Sequence, residues 1–315
     1  MEVRKMAKVV ATVGVGTVGS SWATFYSSKG FKVKMYDAAE NVLKLAPNSV
    51  QRNLEFMIER GLMPREEADA ALQNIESCFE LSEAVCDATF IQESAFESYE
   101  VKEKLFEGIE EACPRDTIIA SSSSGLLMTN IQKNLKTPER CVICHPFNPP
   151  HLLPLVEIVP GEKTSTDTLR RAKEFFEGLG KVPVILKKEM VGHIANRLSA
   201  ALWREAIHLV VEGVASVEDV DKAVWAGPGL RWAFMGPHLT YHLGGGKGGL
   251  KYFLEHLGPA FESYFEDLGS WTRIPEHAKP KLVEGVIEEV QGKSIDDLVK
   301  WRDAKLAEVL KAVLG

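Results

Sequence analysis

Two residues set the chemistry this chain can support. His145 ends the apolar run Cys141-Val-Ile-Cys144, and Glu157 lies inside a second apolar run, Leu152 to Val159. Between them Asn148-Pro149-Pro150 turns the chain, because proline fixes φ and pushes its predecessor out of helix. If the two runs lie side by side, the carboxylate returns to the imidazole. A carboxylate bonded to one ring nitrogen fixes the tautomer and leaves the other nitrogen free to take a proton. The pair is then a general base. A histidine after a strand with a glutamate twelve positions on is, taken alone, more often structural, so the weight comes from its surroundings. Cys141 to His145 also matches the C-x-x-C-H attachment pattern of c-type haem. That attachment needs an exported chain, whereas MEVRKMAKVVATVGVG runs into a strand and a glycine motif without a separate apolar core and cleavage site.

The residues upstream supply something for a base to work with. Lys8 to Val13 is apolar and leads into Gly14-Val-Gly16-Thr-Val-Gly19. A helical pattern follows through Trp22, Ala23, Phe25 and Tyr26 to about Gly30, and Phe31 to Tyr36 then alternates and ends in Asp37. Strand, G-x-G-x-x-G, helix, strand and acid together point to dinucleotide binding. The first glycine makes the tight turn, the second admits a pyrophosphate, and the third lets helix and strand pack closely. The helix start offers unpaired N–H groups to the phosphates. Asp37 stands where the ribose hydroxyls belong, and Ala38-Ala39 offers no arginine for a 2′-phosphate, which favours NAD over NADP. Thr17 and Val18, at the helix start, and Glu93, after the strand Cys86 to Gln92, complete the expected cofactor contacts.

Helices are expected over residues 41–60, 65–74, 99–113 and 165–179, and strands over 117–120 and 181–186. Ser121-Ser-Ser-Ser124-Gly125-Leu126 places four hydroxyls at a strand end, where α/β sheets bind ligands. After residue 186 the strands stop. The reading is an α/β chain, with a Rossmann-type doubly wound, mostly parallel sheet over residues 1–186 and an all-helical substrate and dimerisation domain over 187–315. Its opening helix, Val191 to Gly213, carries Asn196-Arg197 near its start, and residues 295–314 close the chain as an amphipathic helix. Residues 226–249, rich in glycine, proline and aromatics, read as too irregular for one helix, and long irregular segments tend to be functional. Gly246-Lys247 lacks the Ser/Thr and glycine spacing of a P-loop. His238 and His242 have helical spacing, but Leu239 stands where a zinc protease needs glutamate, so no metal site is expected.

The 315 residues carry a net charge of −7, which disfavours nucleic acid and anionic membranes as partners. No apolar span approaches the roughly 20 residues a bilayer requires. Five cysteines at irregular spacing read as reduced cytoplasmic thiols.

In combination, Gly14-x-Gly16-x-x-Gly19, Ser121 to Leu126, His145-Pro-Phe-Asn-Pro149, Glu157 and Gly192-His-Ile-Ala-Asn196-Arg197 resemble the 3-hydroxyacyl-CoA dehydrogenase superfamily over nearly the whole chain. The double proline after Asn148 and the segment Gly227 to Pro237 resemble its branch of L-carnitine dehydrogenases, L-gulonate dehydrogenase and lens λ-crystallins, with Trp232 and Tyr241 to Gly246 most like the carnitine enzymes. The resemblance implies His145 as base, Glu157 as its partner, Ser124 and Asn196 holding the substrate oxygen, NAD as cofactor and a homodimer. It implies oxidation of the 3-hydroxyl of L-carnitine, with L-gulonate or a 3-hydroxybutyryl-CoA ester as alternatives, and a crystallin-like NADH-binding protein as the reading of another class. Ser122-Ser123 stand where the broader family usually has Asn-Thr, and Gly125 replaces a common serine; both departures count against a CoA ester. A quaternary ammonium cannot donate a hydrogen bond, so Phe147, Trp232, Phe234 and Tyr241 are the candidate rings for it, with Arg197 or Arg231 for the carboxylate.

Overall fold

The computed structural model describes residues 8–314. Eight strands form one sheet: β1 (Val9–Val13), β2 (Lys32–Tyr36), β3 (Ile75–Ser77), β4 (Phe90–Glu93), β5 (Ile118–Ser121), β6 (Cys141–Pro146), β7 (Leu155–Pro160) and β8 (Val182–Ile185). Their order is β3-β2-β1-β4-β5-β6-β7-β8, and only β6 and β7 pair antiparallel. The chain starts at β1, builds outward to β3, then crosses to β4 on the other side. In sheets wound this way ligands bind outside the strand C-termini at that reversal.

Most of the strands are continuous apolar runs because helices cover both faces. Val10, Phe90, Ile118, Val142 and Cys144 join one buried cluster. Their neighbours Ala11, Ile91, Ile119, Ile143 and Cys141 join another. This alternation is the pleat sending successive side chains to opposite faces. In the first cluster Phe90 stacks on Phe175 at 4.3 Å and Trp22 on Tyr26 at 5.2 Å. Burying each such ring contributes roughly 1.5–3 kcal/mol. Trp22 and Tyr26 belong to the helix Thr17–Ser28, so this packing holds the helix start at the sheet reversal.

The chain divides into two compact units after Arg197; the composition change had placed the division at 186/187. In the second unit all regular elements are helical. Ser216 caps the helix Val217–Ala226 by accepting the Asp219 amide at 3.1 Å. Tyr241 packs on Phe253 and Phe261, with both centroid distances 5.1 Å.

Several elements differ from the sequence expectation. The strand expected over 86–92 begins only at Phe90, after a short helix, Leu81–Val85. β3 is three residues long and too short to show a period. The helix expected from Val191 begins at Ala195, because Gly192 and His193 both take positive φ, +76° and +49°. Residues 226–249 do not form one helix: proline starts two short helices there, Pro228–Trp232 and Pro237–Gly244.

Candidate active site

The antiparallel register places His145 directly opposite Glu157. His145 Nδ1 lies 2.8 Å from Glu157 Oε2, and both side chains are buried. The other oxygen, Oε1, accepts the backbone amides of Ile194 at 2.8 Å and Ala195 at 3.0 Å. Burial opposes the charge on Glu157, but the bonds from His145, Ala195 and Ile194 outweigh it and hold the carboxyl below its ordinary range. An ionised carboxylate only accepts, so Nδ1 carries the ring hydrogen of neutral His145 and Nε2 is left as the proton acceptor. The left-handed pair Gly192-His193 turns the backbone just before the two donated amides.

His145 opens on a cleft of about 510 Å³ formed entirely within the first unit. The cleft brings together Val18, Ser124, His145, Phe147 and Asn196, five of the residues singled out in the sequence. It also draws in Ser94, Ala95, Glu97, Lys102, Ser122, Pro146 and Asn148. Glu97 shapes the serine loop: its Oε1 accepts Ser123 Oγ at 2.6 Å and the amides of Ser124 and Gly125 at 2.9 and 3.1 Å. Burial opposes its charge too, yet the Ser123 bond, the Lys102 ammonium and the two amides hold it ionised.

The glycine loop fits the phosphates of a dinucleotide. Gly14 has φ +84°, and a Cβ there would stand 2.5 Å from the Ala95 nitrogen. A Cβ on Gly19 would meet the Gly14 carbonyl at 1.8 Å. At Gly16 a Cβ would meet nothing within 4 Å, so this glycine keeps open the approach to the helix start. No side chain caps that start and no acid lies in its first turn, which leaves its N–H groups for an anion. Thr17 beside it is exposed. Asp37 Oδ2 accepts the Val15 amide at 2.8 Å and Oδ1 the Ala39 amide at 2.9 Å, so it ties the loop to the end of β2.

Other residues singled out in the sequence are not among those that line this cleft of the first unit. Glu93 is fully buried; its Oε1 accepts Lys102 Nζ and the Ala95 amide, both at 2.6 Å, and its Oε2 accepts Ser121 Oγ at 2.5 Å. It braces the loop after β4 and is not among the residues that line the cleft. Arg197 is exposed and donates to the Val191 carbonyl at 3.4 Å. Arg231, Trp232, Phe234 and Tyr241 belong to the second unit, where Trp232 and Phe234 are exposed. Cys141 and Cys144, of the haem-like pattern, are fully buried in β6.

Sequence reasoning passed over Ser94, Glu97, Lys102 and His193. His193 is buried, its Nε2 donates to the Ser123 carbonyl at 3.0 Å, and its ring centroid lies 5.1 Å from that of His145. Its Nδ1 has no partner among the described residues. A histidine three residues before Asn196 was the available signal, but its left-handed backbone was not visible in the sequence.

Residues 9–190 match the model of the 3-hydroxyacyl-CoA dehydrogenase NAD binding domain, and residues 192–285 that of the C-terminal domain. The chain is 40% identical over 311 residues to an L-carnitine dehydrogenase of Nocardiopsis dassonvillei, covering 97% of this chain and 92% of the relative. It is 41% identical over 308 residues to an L-carnitine dehydrogenase of Streptomyces coelicolor, covering 96% and 94%. Among solved structures it resembles 5-formyl-3-hydroxy-2-methylpyridine 4-carboxylic acid 5-dehydrogenase, an NAD+-dependent dismutase, with TM-score 0.82 and 26% identity over 98% of this chain and 99% of the other. An open glycine loop beside a buried His–Glu pair, and two family models that together span most of its length, place this chain in the 3-hydroxyacyl-CoA dehydrogenase family.

Proposed function

We infer that the protein is an NAD-dependent dehydrogenase that oxidises the 3-hydroxyl of L-carnitine. The observation that carries the reaction type is the buried His145–Glu157 pair, whose carboxylate is pinned by two amides and whose histidine opens on the cleft. The substrate rests on the relatives of about 40% identity that are L-carnitine dehydrogenases over nearly their full length. The Phe147 ring, set edge-on to His145 at 6.1 Å, gives the cleft an aromatic face suited to a quaternary ammonium.

Bound NAD+ supplies the acceptor for the hydride leaving C3. The chain's own residues handle the proton and the oxygen. His145 Nε2 takes the hydroxyl proton, and Glu157 stabilises the imidazolium that forms. Ser124 and Asn196 hydrogen-bond the oxygen as alcohol and as ketone. A positioned base of this kind contributes a factor of about 10² to 10⁴. Gly14, Gly16, Thr17, Val18 and Gly19 hold the pyrophosphate, and Asp37 stands at the ribose end.

The test is NADH formation by the purified protein with NAD+ and L-carnitine, D-carnitine, L-gulonate or 3-hydroxybutyryl-CoA. Turnover on L-carnitine alone is the expected result. Turnover on the CoA ester or gulonate alone would keep the His–Glu base and remove the ammonium reading. Silence on all four while NADH still binds would return weight to a crystallin-like binding protein.

The working form we propose is a homodimer in the cytoplasm. Large apolar side chains of the second unit stand in water in the single chain, among them Trp203, Trp225, Phe265 and Trp301, and such surfaces mark association sites. Five free cysteines, four of them buried, suit a reducing compartment. No helix among the described residues is long and apolar enough to cross a membrane. Light scattering on the purified protein should give the mass of two chains; the mass of one chain would refute the dimer.

A further inference from the structure

Ser94 and Ser122 both line the cleft, with their hydroxyl oxygens 2.8 Å apart. Either could donate to the other on distance alone, but the groups behind them settle the direction. Ser122 Oγ lies 3.1 Å from Trp22 Nε1, an indole nitrogen that can only donate. It also lies 2.8 Å from Gln92 Nε2. The orientation of that amide is fixed in turn, because the same nitrogen faces the Cys144 carbonyl at 3.4 Å, an oxygen that can only accept. Tyr26, whose phenol burial holds protonated, donates to Gln92 Oε1 at 3.2 Å. Ser122 Oγ therefore accepts two bonds. A hydroxyl has two acceptor lone pairs and one hydrogen, so its own hydrogen goes to Ser94 Oγ. Ser94 accepts that bond, and its own hydrogen has no acceptor among the described residues.

The place of this uncommitted donor is equally defined. Ser94 follows β4, on the far side of β1 from β2 and Asp37. Its carbonyl carbon lies 2.7 Å from where a Cβ on Gly14 would stand, and its Cβ lies 3.6 Å from where one on Gly19 would. It thus abuts the phosphate loop on the side away from the ribose acid, where a dinucleotide crossing the sheet reversal lays its second nucleotide.

The geometry points to Ser94 as a binding residue for an acceptor oxygen on the nicotinamide riboside half of the cofactor, made an obligate donor by the Trp22–Gln92–Ser122 relay. The acceptor is a ribose hydroxyl or the carboxamide oxygen. Ser122 is a positioning residue, since it acts only by fixing which way Ser94 points its hydrogen. The assignment rests on the NAD-dependent reading above and is separable from it by the fragments used to test it.

The experiment is fluorescence titration of NADH, with ADP-ribose as a competitor, against the wild-type protein, Ser94→Ala and Ser122→Ala. ADP-ribose contains the adenosine, the pyrophosphate and the second ribose but no nicotinamide. For Ser94→Ala the expected result is NADH affinity weakened about threefold to tenfold, the worth of one neutral hydrogen bond. A carboxamide acceptor leaves the affinity for ADP-ribose unchanged; a ribose acceptor weakens both ligands alike while affinity for AMP, which stops short of that ribose, is kept. Ser122→Ala should weaken NADH by a smaller factor, because Ser94 keeps its hydroxyl but loses its enforced direction. Unchanged NADH affinity in Ser94→Ala, or a loss that extends to AMP, would overturn the assignment. So would a raised substrate KM at saturating NAD+ with NADH affinity intact, since Ser94 would then serve the substrate. If the wild-type protein bound neither NADH nor ADP-ribose, the cofactor reading itself would fall.

Discussion

Trp22, Tyr26, Phe90, Phe106 and Phe176 in the first unit are each 2% exposed or less, whereas Trp203, Trp225, Phe265 and Trp301 in the second are 58–64% exposed. The first unit closes its own core on both faces of a sheet, and every residue of the cleft belongs to it. Among the described residues of the second, Ile207, Val220, Phe253, Ala278 and Ala307 are the buried apolar side chains. The first unit exposes large apolar side chains too, Phe79 and Phe96 among them, but its core is buried around the sheet; the second carries a surface that a second copy of the chain is proposed to cover. Substitutions in the two should therefore fail in different ways.

The largest effect is expected at the base. His145→Ala should lower kcat by about 10² to 10⁴ or more, while NADH titration stays unchanged. Glu157→Gln should also lower kcat, and it weakens folding as well, because the amides of Ile194 and Ala195 lose a charged acceptor; steady-state rates and urea unfolding check the two parts. Phe176→Ala empties a fully buried site and should cost about 3–5 kcal/mol in urea unfolding at any protein concentration. By contrast, Trp301→Glu should leave a folded chain, move its light-scattering mass from two chains to one, and make the melting temperature independent of concentration. If Trp301→Glu destabilised a chain that was already monomeric, the contrast between the units would collapse.

Smaller effects sharpen the first unit. Phe147→Ala should raise KM for L-carnitine by about two- to thirtyfold, the range of one cation–π contact, with little change for an uncharged 3-hydroxy acid. Lys181 gives a pH signature. It is buried against the Trp22 and Phe25 rings and donates to the carbonyls of Pro150 and Leu153, so it anchors the loop that carries Phe147 and Asn148. Burial, with a small contribution from Lys29, pushes its ammonium down to about 7. The unfolded chain then holds more protons than the folded one above that pH. Wild-type stability relative to Lys181→Met should rise with pH between about 7 and the ordinary lysine value near 10.4, by at most about 1.4 kcal/mol per unit, and be flat below. Urea unfolding at pH 6, 8 and 9.5 measures it, and a flat difference throughout would show that the carbonyls and rings keep the ammonium charged.

The comparison also explains what the sequence made legible. The His145–Glu157 pairing was readable because two apolar runs flank a double proline, and a tight return leaves few registers. The glycine loop was readable because each glycine answers a local backbone demand. The bracing bonds of Glu93 were not readable for the opposite reason: a carboxylate at a strand end looks like a ligand, and only the fold brings Lys102 and Ser121 to it from other elements. Glu97 and Ser94 were invisible on the same grounds, since their roles depend on the serine loop beyond β5. In the second unit proline and glycine ruled out one long helix, but not that Pro228 and Pro237 each begin a short one. A proline's meaning depends on its place in the helix, which a composition count does not reveal.

Hydride transfer to the cofactor can be followed through the hydrogen itself. L-carnitine deuterated at C3 is oxidised with NAD+, and the mass of the reduced cofactor is measured. The expected result is reduced cofactor carrying the deuterium, in equal amount to the ketone formed, with His145→Ala producing neither. Ketone formed without label in the cofactor, or no reduced cofactor from L-carnitine at all, would contradict it.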